Sequence, residues 1–202
     1  MDNEFSILDD FWMQVLMLDR SAANMLYHLL GGKASHSVIR CQHRCNGWSK
    51  DDKYTEIISH EMLAKDQFEI NHAMTIRFID DLSELEDIKE HPLGDLWEYQ
   101  EGGKNYFCRP ATHILVYFVN DTLPEDKLVC RVGFLLIADD LDINVELPTQ
   151  IISTEVEDGS ELADLVQYLK CPMPHRTEYG VLADRVDVLL NAWETRKRKV
   201  EG

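Results

Sequence analysis

Apolar residues fill both alternating faces of residues 114–119 (ILVYFV) and 128–137 (LVCRVGFLLI). A strand reads that way when it is covered above and below, so these two runs predict a central antiparallel pair on which the rest of the chain is hung. Asn120, Asp121 and Pro124 break the run between them. Residues 68–79 alternate cleanly: Phe68, Ile70, His72, Met74, Ile76 and Phe78 share one face, while Glu69, Asn71, Thr75 and Arg77 share the other. Trp97 and Tyr99, the Gly102–Gly103 pair and residues 105–109 predict a hairpin. Asp142, Asn144 and Glu146 alternate with Ile143, Val145 and Leu147 as in a one-sided edge strand that Pro148 closes, with a further short strand over 151–156.

Helical spacing appears at both ends. Residues 11–30 form two pieces, Trp12, Val15 and Leu16 on one face, then Ala22, Met25, Leu26, Leu29 and Leu30, with Asp9 and Asp19 placed as N-caps and Gly31–Gly32 as a stop. Residues 54–65 read as a short helix through Ile57, Ile58 and Met62. Residues 80–90 read as an exposed acidic helix, Ser83 and Glu86 having capping-box spacing. Ser160 opens an amphipathic helix (Leu162, Leu165, Val166, Leu169), and a last helix over 178–199 carries Leu182, Val186, Leu189, Leu190 and Trp193. The expectation is a single α+β domain spanning 1–202: an N-terminal helical part (1–65), a largely antiparallel sheet of about five to seven strands (66–157, the strands over roughly 68–156) and a C-terminal helical pair (158–202), the helices covering the sheet.

Charge changes the picture most. The chain has 37 acidic and 20 basic residues, a net charge of −17, in a sequence that is 45% hydrophobic. That balance opposes contact with nucleic acid or an anionic membrane, apart from two basic segments, residues 36–50 and 196–199, and favours a basic protein partner. No apolar run reaches the ~20 residues of a membrane helix. The acidic N-terminus and five scattered cysteines suit a reducing cytoplasm.

Three sets of residues could carry chemistry. Cys41, His43 and Cys45 alternate, so an extended segment turns all three to one side, and thiolate and imidazole are zinc ligands. A structural zinc site usually has two C-x₂₋₄-C pairs, and no second pair lies near Cys41 and Cys45, so His36 or His60 would have to complete the set. His72 on its apolar face and His113 are candidate catalytic bases for a metal-assisted hydrolase or nucleotide-processing enzyme, with Asp140 and Asp142. Asp80, Asp81, Glu84, Asp87, Asp139, Asp140, Asp142 and Glu146 form two acidic stretches suited to partner contact. His60–Glu61 starts a metalloprotease motif that Ala64 ends, and no phosphate loop, dinucleotide fingerprint or hydrolase elbow occurs. The functional expectation is therefore a small acidic cytoplasmic binding factor without a resident cofactor. It resembles in class the inhibitors with which phages and mobile elements mimic nucleic acid against basic, nucleic-acid-handling proteins. An enzyme and a subunit that assembles through its N-terminal helix are the alternatives.

Overall fold

The computed structural model describes residues 5–50, 53–80, 82, 97–101, 104–138, 141–174 and 176–201. Two helices open it, α1 (Asp10–Met17) and α2 (Arg20–Leu29), each starting at its aspartate. Asp9 Oδ1 accepts the N–H groups of Phe11 and Trp12, and Asp19 Oδ1 those of Ser21 and Ala22, which supplies partners the first helical turn lacks. At the end of α2, Gly31 takes φ +100°. The Gly31 N–H then reaches the His28 carbonyl, and the Gly32 N–H reaches that of Tyr27. Gly32 has a second constraint: a Cβ there would lie 2.1 Å from the Tyr27 ring, which is fully buried. Gly32→Ala is expected to lower stability by about 1–3 kcal/mol through displacement of that ring, read as a lower urea midpoint with unchanged slope.

The strands are β1 (Ser37–Lys50), β2 (Lys53–Lys65), β3 (Asn71–Ile79), β4 (Trp97–Glu101), β5 (Lys104–Cys108), β6 (Thr112–Val119), β7 (Val129–Ala138) and β8 (Leu141–Ser153). Among the described residues six of them form one sheet in the order β1-β2-β3-β6-β8-β7, while β4 and β5 pair as the expected hairpin. The architecture is α+β, but the sheet is mixed rather than largely antiparallel. β6 runs parallel to both of its neighbours, β3 and β8. The two apolar runs at the heart of the sequence therefore do not pair with each other: β8 lies between them, and β7 is an edge strand.

Residues 54–65 are strand, not helix, and the sheet starts at Ser37 rather than near residue 66. Both faces of β2 are covered, Ser59, Glu61 and Leu63 on one side and His60, Met62 and Ala64 on the other, so the period of two is invisible in the sequence. β8 also runs through Pro148, where the β7–β8 register shifts between Arg131 and Gly133. A ladder irregularity is the place where a strand tolerates a residue without an N–H. β3 begins at Asn71, so Phe68 and Ile70 fall in the turn before it, 72% and 45% exposed.

Two further helices follow, α3 (Glu161–Lys170) and α4 (Gly180–Glu201), with Ser160 Oγ accepting the Ala163 N–H at the start of α3. One apolar cluster joins residues of all four helices to Met62, Ala64, Met74, Ile76, Val116, Phe118 and Ile152 of the sheet. The pairing registers put those sheet residues on one face. Tyr117, Val119 and Ile151 belong to a separate cluster on the opposite face. Among the described residues no helix is long and apolar enough to cross a membrane.

Candidate functional site

Imidazoles gather at two places on the helix-covered face. The first lies where the connection from α2 to β1, the β2–β3 turn and the start of β3 meet. His36 and His72 stack there, ring centroids 3.9 Å apart and planes 17° from parallel, with the Asp66 carboxylate beside them. One donor atom from each of the three lies within 4.8 Å of the others. Every remaining polar atom of the three side chains is engaged. The Tyr27 hydroxyl is 3.0 Å from His36 Nδ1, and Thr112 Oγ1 is 2.9 Å from His72 Nδ1. Asp66 Oδ1 accepts the N–H groups of Phe68 and Ile70 in a turn that Glu69 completes at φ +62°.

His72 Nε2 lies 3.5 Å from Asp66 Oδ2, too far for a good hydrogen bond, and has no other partner although the residue is 7% exposed. Burial, then the neighbouring His72, hold His36 below the ordinary imidazole range. Partial burial raises the Asp66 carboxyl, but the Ile70 and Phe68 N–H groups and the His72 ring outweigh it and keep the carboxylate ionised.

The second gathering lies four residues along the same strands. His60 is completely buried and bonded at both ring nitrogens, Nε2 to Asp10 Oδ1 at 2.6 Å and Nδ1 to His43 Nδ1 at 2.9 Å. Asp10 Oδ1 accepts from His60 Nε2–H, and the two facing Nδ1 atoms share a single proton between the rings. Burial, then the His60 ring, press His43 down to about 4.

The anticipated sites fare differently in the fold. Cys41, His43 and Cys45 do share one face of β1, opposite Met62, His60 and Ile58. They do not converge, however: His43 is drawn to His60, and burial raises the Cys41 thiol to about 11, away from the thiolate a metal needs. His36, considered as a fourth ligand to them, stands with Asp66 and His72 instead. His72 and His113 are on adjacent strands but opposite faces. His72 is level with Thr112 and His113 with Ala73, and His113 Nε2 bonds Thr75 Oγ1 at 2.8 Å. They cannot act on one substrate atom. Asp80 is exposed, and Asp142 and Glu146 lie on β8; Asp81, Glu84, Asp87, Asp139 and Asp140 lie outside the described residues. The basic end of α4 is partly spent on its own helix, with Arg198 Nη2 3.1 Å from Glu194 Oε2 and Lys197 over the Trp193 ring.

A third feature was not visible in the sequence. A cleft of about 560 Å³ opens beside α3, lined by Glu157, Asp164, Gln167, Tyr168, Met173 and Arg176 among others. Exposed Glu155, Glu157, Asp158, Glu161 and Asp164 crowd this corner. Lys170 pairs with Glu155, and Arg176 with Glu178. Tyr168, stacked on Tyr179 and 3% exposed, lines the cleft, and its buried hydroxyl has no hydrogen-bond partner. Loops and helix starts bring these groups together across about twenty residues, and no fixed spacing announces that.

Comparison with protein-family models, with curated proteins and with solved structures finds no match.

Proposed function

We propose that this chain works by binding a basic protein partner, of the kind that handles nucleic acid, and that it presents carboxylates where phosphates would otherwise lie. The observation that carries this reading is the carboxylate excess. With 37 acidic and 20 basic residues, the chain carries 17 more carboxylates than lysines and arginines. Where the cleft beside α3 concentrates them, Glu157, Asp158, Glu161 and Asp164 stand exposed. A lysine or arginine entering there meets Glu157 and Asp164 in the lining of the cleft. The placement of His72 and His113 on opposite faces weighs against the metal-assisted enzyme.

Two triple variants test it. Glu157→Lys, Glu161→Lys and Asp164→Lys together, and Glu125→Lys, Asp184→Lys and Glu194→Lys together, each bring the net charge from −17 to −11. Partners captured by the wild-type chain at low salt should be bound at least about tenfold more weakly by the first variant, with a shallower salt dependence, and nearly unchanged by the second. Competition by duplex DNA for the captured protein completes the expected result. Equal losses in both variants would mean that bulk charge, not this surface, does the binding.

A further inference from the structure

We propose that His36, Asp66 and His72 form a binding site for one zinc(II) ion. The case rests on which atoms are left over. The Tyr27 hydroxyl occupies His36 Nδ1 and the Thr112 hydroxyl occupies His72 Nδ1, which leaves an Nε2 on each ring. Two backbone N–H groups occupy Asp66 Oδ1 and leave Oδ2, the oxygen nearer His72. Outer hydrogen bonds of this kind fix the tautomer and orientation of metal ligands. His72 Nε2, on a side chain more than nine-tenths buried and with no hydrogen-bond partner, supplies an independent sign that the cluster accommodates something further. A buried polar atom left in that state costs free energy that a metal bond removes.

Two imidazoles and a carboxylate suit zinc better than calcium or magnesium, which prefer all-oxygen sets. Zinc at about 2.0–2.1 Å from its ligands places tetrahedral donors roughly 3.3 Å apart. The three atoms, now within 4.8 Å, must therefore draw in, and the stacked rings must splay so that their nitrogen lone pairs converge. His36 is 5% and His72 7% exposed, and three protein donors leave the fourth tetrahedral position to a water molecule. The site would join the segment before β1 to the β2–β3 turn, and loading should raise the melting temperature as the zinc concentration exceeds Kd.

Zinc chloride titrated calorimetrically into chelator-stripped full-length protein should saturate at one ion per chain. Ring-nitrogen NMR of the wild-type protein should show the Nε2 signals of His36 and His72 moving while those of His43 and His60 stay. Asp66→Asn and His72→Gln should each weaken zinc at least about tenfold, and cobalt(II) should give visible bands without thiolate charge transfer. Absence of saturable binding overturns the proposal, as does a thiolate–cobalt band that puts the ion on Cys41 and Cys45. Unchanged affinity in both variants does so too. Should a variant fail to fold, the wild-type ring-nitrogen spectrum decides alone.

Discussion

Replacing Phe118 by alanine is expected to lower the unfolding free energy by about 3–5 kcal/mol. Phe118 is 1% exposed on β6, the strand flanked on both sides by parallel partners, and stacks on Phe78 directly across the ladder with centroids 5.8 Å apart. It belongs to the apolar cluster that all four helices share, so truncation opens a cavity that no single element can move to fill. Urea denaturation measures the effect. Phe68→Ala is the control: that ring is 72% exposed in a turn, and its loss should shift stability by no more than ~0.5 kcal/mol. Similar losses for the two would contradict the packing described.

His60→Ala should remove about 2–4 kcal/mol and, more diagnostically, flatten the acid limb of the stability profile. The imidazole fills space under α1 and bonds Asp10 and His43 at once, so its loss leaves a cavity and a half-buried His43 without its partner, while the partly exposed Asp10 turns to water. The pH effect follows from His43, whose folded value lies near 4 against an unfolded value of about 6.5. Between those values the unfolded chain binds a proton that the folded chain refuses. Stability contributed by neutral His43 is complete above about 6.5, falls as the pH drops toward 4 and is gone below it. Because burial, then the His60 ring, cause the depression, His60→Ala admits water and removes the neighbour, and the window should narrow from its lower end. Urea midpoints collected from pH 4 to 8 measure it; a wild-type profile flat between 6.5 and 4 would refute the buried chain.

The sequence announced elements wherever one side of them meets water. Asp9, Asp19 and Ser160 mark helix starts because a first turn lacks partners, and the spacing of Leu165, Val166 and Leu169 marks a half-buried face. It failed at β2, where polar Ser59, His60 and Glu61 are buried among apolar neighbours and leave no alternation to read, whereas the unbroken apolar run of β6 still reads as a covered strand. Strand order was hidden for another reason. A strand's residues report how buried it is but not which neighbour it bonds: β8 pairs with β7, next to it in sequence, and with β6 across the whole of β7. The same holds for the site. The common face of Cys41, His43 and Cys45 is local and legible, whereas the preference of His43 for His60, and of His36 for Asp66 and His72, depends on segments that meet only in the fold.

The parallel seating of β6 has a consequence for the chain while it is being made. Its bonding partners on one side are residues 149–153, which leave the ribosome well after β6 itself. During that interval an apolar strand stands with an open edge, and β7, the next segment to emerge, is not its native neighbour. The nascent protein is thus most prone to mispairing just before its last quarter is translated, and slower elongation there would lengthen the time for which it depends on chaperones.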